Sequence, residues 1–73
     1  MPHIDVSLYP GRGPEIKKNL AEKIEELFIK ELGCNSNHVS VTFTDTDPDT
    51  FTEDVMKKVS KDNIIIESDL IKK

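Results

Sequence analysis

Polar and apolar residues alternate from His3 to Tyr9, with Ile4, Val6 and Leu8 on one face and His3, Asp5 and Ser7 on the other. That two-residue period predicts a half-buried strand. The stretch Pro10–Pro14 holds two prolines and two glycines, which end the strand in a turn. Ile16, Leu20, Ile24, Leu27, Phe28 and Leu32 then recur at three- and four-residue steps. They form one stripe of an amphipathic helix predicted over 14–32, with Pro14 at its first position and Gly33 as its C-cap. Glu15 sits at the positive end of the dipole, and Glu26 and Lys30 form an i,i+4 pair on the wet side.

After a loop at Cys34–Asn37, the alternation returns over His38–Thr44, with Val39, Val41 and Phe43 on one side. A strand, a crossover helix and a second strand make a βαβ unit, for which parallel strands and a right-handed crossover are expected. Asp45–Asp49 reads as a polar turn. A short helix is expected from about Thr52 to Val59, with Phe51, Val55, Met56 and Val59 turned inward. Ile64–Ile66 suggests a short strand, and residues 67–73 a last helical turn or tail. The fold class is therefore α/β: a β-α-β protomer with two parallel strands, one long helix and a short C-terminal helical extension. Residues 1–73 read as a single domain. Two strands and one helix bury too little to stand alone, so completion by homo-oligomerisation is expected, as a dimer or hexamer.

The chain has 73 residues, with 10 Lys+Arg against 14 Asp+Glu and a net charge of −4. An acidic chain without a basic block argues against nucleic acid as a partner. Its apolar runs are far shorter than the roughly 20 residues that span a bilayer, and MPHIDVSLYP lacks a basic segment ahead of an apolar run, so no secretory signal is read there. The lone Cys34 cannot form an intrachain disulfide, which suits a reducing cytoplasm.

Common catalytic sets are missing. Gly11-Arg12-Gly13 is too short for a phosphate loop and lacks the following Lys-Ser/Thr. Cys34 follows a helix end with only His3 and His38 as possible bases and reads as a structural cysteine in preference to a nucleophile, and two histidines and one cysteine at unrelated spacings make no zinc site. Asp45, Asp47 and Asp49 echo a calcium loop, but Thr50 and Met56 occupy the positions that need Gly and Glu. What remains is the amino terminus. Removal of Met1 would make Pro2 a secondary amine. A free α-amino group titrates near pH 7.7–8.0, and nearby cations with little water would lower that of a prolyl amine into the range of a working base. Arg12, just ahead of a helix N-terminus, has the fork geometry to clamp a carboxylate. The plainer reading of both residues is a common second residue and a solvated turn.

Met1-Pro2-His3-Ile4-Asp5-Val6, Pro10-Gly11-Arg12, a helix and a Val39-Ser40-Val41 strand, in this order, resemble the tautomerase superfamily. The likeness is to its short 4-oxalocrotonate tautomerase branch, and within it to the members with a C-terminal helical extension. That resemblance implies β-α-β protomers and a cofactor-independent isomerase acting on a small 2-oxo acid. Carried over by position, Pro2 is the general base, Arg12 binds the substrate carboxylate and Phe51 is the pocket aromatic. Where the family has a second arginine this chain has Ser40. A hydroxyl donates only a neutral hydrogen bond, so a monocarboxylate enol of the phenylpyruvate type is expected in place of a dicarboxylate. Other readings stand beside these: Phe51 as core, Tyr9 as pocket mouth or strand end, and His3 at a subunit contact. The alternative functions are a non-catalytic oligomeric module binding a small acid, and a family hydratase or decarboxylase using protonated Pro2.

Overall fold

The structure is a computed structural model that describes residues 1–71. Its elements run β1 (His3–Leu8), α1 (Pro14–Leu32), β2 (Ser40–Asp45) and α2 (Phe51–Lys58), with single 3-10 turns at Ser36–His38, Lys61–Asn63 and Asp69–Ile71. β1 and β2 pair in parallel, from His3 opposite Ser40 to Leu8 opposite Asp45. The ladder runs one step further, where Thr46 N–H donates to the Leu8 carbonyl at 2.8 Å. The expected α/β protomer is what forms.

The helix begins and ends as its sequence dictates. Pro14 lies in the first turn, Lys30 is in the last, and Gly33 takes the left-handed conformation (φ 69°) with its N–H on the Ile29 carbonyl at 2.9 Å. A residue with a Cβ is strained at that φ. The side chain of Lys17 reaches back to Asp45 at 2.7 Å and ties the first turns of α1 to the end of β2.

Three expectations need correction. The stripe on α1 does not face the sheet as a unit. Ala21, Ile24, Phe28 and Ile29 are half-buried, whereas Ile16, Leu20, Leu27 and Leu32 are between 43% and 63% exposed. An apolar arc wider than one sheet face leaves an outer row uncovered. The second strand starts at Ser40, because Ser36–His38 closes a 3-10 turn in which Val39 N–H bonds the Ser36 carbonyl at 3.2 Å. Ile64–Ile66 forms no strand. Among the described residues both strands pair only with each other, and Ile65 and Ile66 are 92% and 88% exposed. A β-branched run without a neighbouring strand has nothing to pair with. The expected final turn is present at Asp69–Ile71; its continuation at 72–73 lies outside the described residues.

Among the described residues no apolar side chain is fully buried, and Thr46 is the buried residue. Ile4, Val6, Leu8, Val41 and Phe43 are half-buried on one sheet face, with α1 against β2. The opposite face carries His3, Asp5, Ser7, Ser40, Thr42 and Thr44. There α2 is tethered by Lys58, whose Nζ lies 3.6 Å from the Asp5 carboxylate.

Candidate active site

The sequence-derived site residues fall at two ends of the sheet. At the amino end, Ser40 N–H donates to the Pro2 carbonyl at 3.2 Å, so Pro2 and Ser40 are backbone neighbours. Pro2 is half-buried and Met1 before it is 93% exposed. On the polar face the side chains form a chain of hydrogen bonds. Thr42 Oγ1 donates to Asp5 Oδ1 at 2.7 Å and Thr44 Oγ1 to the same oxygen at 3.1 Å. A carboxylate only accepts, so the Thr42 proton is committed to Asp5 and Thr42 can only accept from His3 Nε2, 3.3 Å away. In the neutral imidazole Nδ1 is then the acceptor, and the Ser40 hydroxyl donates to it at 2.7 Å. Ser40 is thus turned towards His3.

The hydrogen bond from Thr42, opposed by partial burial and aided by Thr44 and Lys58, holds the Asp5 carboxyl below its ordinary value of 3.8. The folded chain therefore releases the Asp5 proton more readily than the unfolded chain. Its stabilising effect is complete above about pH 4 and is lost as pH falls through the folded value. Asp5→Asn is expected to lower the thermal midpoint at neutral pH, by an amount that shrinks as pH falls below the ordinary value of 3.8. Circular-dichroism melts across that range measure this; a gap independent of pH would mean that the carboxylate contributes shape and not charge.

At the carboxyl end, Gly11 (φ 118°) turns the chain out of β1 and sets Arg12 beside Leu8, Tyr9, Phe51 and Leu70 in one depression of about 280 Å³. Tyr9 and Phe51 meet edge to face, with centroids 5.2 Å apart and planes at 89°, a favoured aromatic geometry. Arg12 is exposed and makes no ion pair among the described residues, which leaves its guanidinium open to a carboxylate.

Arg12 and Phe51 are brought together; Pro2 and Ser40 are not brought to them. The six residues of β1 lie between Pro2 and Arg12, about 20 Å of strand at about 3.3 Å per residue, while Phe51 also lines a cleft with Asp5 and Ser7 midway along it. Cys34 is half-buried with its thiol towards the Phe28 carbonyl at 3.7 Å, a packing position. No cluster of His, Cys, Asp and Glu suited to a metal occurs among the described residues, and no helix is long and apolar enough to cross a membrane.

The parallel β-α-β protomer is the arrangement expected of a tautomerase-class protein. The tautomerase enzyme family profile matches residues 2–60, and the chain belongs to that family. It is 32% identical over 65 residues to tautomerase PptA of Pectobacterium carotovorum, covering 88% of this chain and 86% of that protein. Tautomerase PptA of Pectobacterium atrosepticum is 31% identical over the same shares. The protein is accordingly a tautomerase-type isomerase acting on a small molecule.

Proposed function

We propose that the protein interconverts the enol and keto forms of a small monocarboxylic 2-oxo acid of the phenylpyruvate type, with Pro2 as general base once Met1 is removed. The neutral amine takes the proton of the enol hydroxyl. The oxygen lone pair collapses to the carbonyl, and the C=C electrons take a proton back from the prolinium at the adjacent carbon. One O–H and one C=C are exchanged for one C–H and one C=O, and the substrate's own carbonyl is the electron sink. Arg12 holds the carboxylate, Phe51 excludes water and thereby favours the uncharged amine, and Ser40 offers one neutral hydrogen bond at the Pro2 end.

The observation that carries this reading is the free Arg12 guanidinium set among Tyr9, Phe51 and Leu70, a match for an acid with one carboxylate and an apolar body. A substrate of that size does not bridge the roughly 20 Å of β1, so Arg12 and Phe51 serve the Pro2 of another copy, and the enzyme works as a homo-oligomer. The uncovered row Ile16, Leu20 and Leu27 supplies an apolar surface for such assembly.

The test is the intact mass of the protein from its native cells together with its pH–rate profile. The expected mass lacks one methionine, and kcat/KM for phenylenolpyruvate rises with pH as the amine loses its proton. Activity that falls with rising pH would mark Pro2 as an acid, as a hydratase or decarboxylase requires. A retained methionine would make the Pro2 nitrogen an amide and leave only a small-acid binding module.

A further inference from the structure

Leu70 reaches the Arg12 depression from the far end of the chain, beyond the stretch that the family profile matches. It is held there by two attachments. Thr52 Oγ1, in the first turn of α2, donates to the Leu70 carbonyl at 2.6 Å. The next residue, Ile71, is half-buried in a cleft that it lines with Phe51, Val55 and Val59. The 3-10 turn Asp69–Ile71 is thereby fastened to α2 with Leu70 facing the edge-to-face pair of Tyr9 and Phe51. Leu8 also lines the depression, and Arg12 is its one charged group.

We infer that Leu70, carried on this fastened turn, is a specificity residue that with Tyr9 forms an apolar wall beside Arg12, selecting monocarboxylates that bear an aryl or bulky alkyl tail. A carboxylate on the guanidinium leaves its substituent against Tyr9, Phe51 and Leu70, where an aromatic ring finds two rings arranged to receive a third. A second carboxylate in the same place would be desolvated against Leu70 and Leu8 with no cation to meet it. The volume of about 280 Å³ is at the small end for ligand clefts and suits a single ring with a short acid chain. This inference rests on Arg12 as the carboxylate binder and is independent of whether Pro2 is the base.

Tyr9 is the chain's single tyrosine, and there is no tryptophan, so intrinsic fluorescence reports this depression directly. Titration of the full-length protein with phenylpropanoate, an unreactive acid, is expected to change Tyr9 emission at much lower concentration than propanoate does. Leu70→Ser and, separately, Thr52→Val are expected to weaken phenylpropanoate by roughly fivefold to tenfold, on the scale of losing part of one buried leucine, and to leave propanoate within about twofold. Arg12→Ala is expected to abolish both. In turnover, Leu70→Ser should raise KM for phenylenolpyruvate with kcat retained. Unchanged phenylpropanoate affinity in both the Leu70 and Thr52 variants, or equal binding of the two acids by the wild type, would overturn the inference. If Pro2→Ala is fully active but these binding differences hold, only the catalytic reading falls.

Discussion

Pro2→Ala is expected to lower kcat/KM for phenylenolpyruvate by about a hundredfold or more, the usual contribution of a positioned general base. Alanine also permits removal of Met1, so the variant still presents an α-amine at the same place. What changes is the amine itself: a freely rotating primary nitrogen replaces one locked in a ring at the start of β1. The carbonyl of residue 2 still accepts from Ser40 N–H, so the sheet register is not at risk. Affinity for phenylpropanoate, read through Tyr9, should change far less than kcat/KM, because Arg12, Tyr9, Phe51 and Leu70 still supply the contacts to the acid and its tail. A variant with near wild-type kcat/KM would remove Pro2 from the mechanism.

Leu27→Glu is expected to split the assembly and take activity with it. Leu27 is 56% exposed in the protomer and lines a groove with Phe28, Glu31 and Leu32 on the outer side of α1. A carboxylate there meets solvent in the isolated chain and costs its fold little. Against a second copy it must be desolvated, which costs several kcal/mol when it is unpaired. Sedimentation velocity should show a smaller species, and turnover should fall in step because Pro2 loses the Arg12 of its neighbour. A dissociated protomer with full activity would refute a site shared between copies. An intact assembly would place the interface elsewhere than this face of α1.

Local chemistry made most of the fold readable. Pro14 and Gly33 bracket α1 at the residues where the structure begins and ends it, and alternation located both strands to within two residues. The sequence was silent where the answer depends on what lies opposite. The six apolar positions on α1 span an arc in which those facing the sheet, Ile24 and Phe28, are no more apolar as a class than the exposed Ile16, Leu20, Leu27 and Leu32. Ile64–Ile66 has strong strand propensity and no strand to join. The site shows the same division. Pro2 and Arg12 are ten positions apart, and only the extended geometry of β1 turns that interval into a separation no small substrate crosses within one chain. The alternation did show that His3, Asp5 and Ser7 share a polar face. The pairing of His3 with Ser40, and so the hydrogen bonds to Thr42 and Asp5, depends on a register that the 3-10 turn at Ser36–His38 sets. Leu70 and Thr52 went unrecognised because no spacing connects them to Arg12; the fold of the chain end does.

The parallel pairing of β1 with β2 also has a consequence in time. His3 pairs with Ser40, so the first strand to leave the ribosome has no partner until the whole of α1 and the start of β2 have followed it. At about 5–20 residues per second that delay lasts a few seconds. Throughout it the segment from Met1 to Leu8 is an unpaired tail. The order in which this topology is synthesised would give removal of Met1, on which the proposed role of Pro2 depends, an opportunity before β1 pairs with β2.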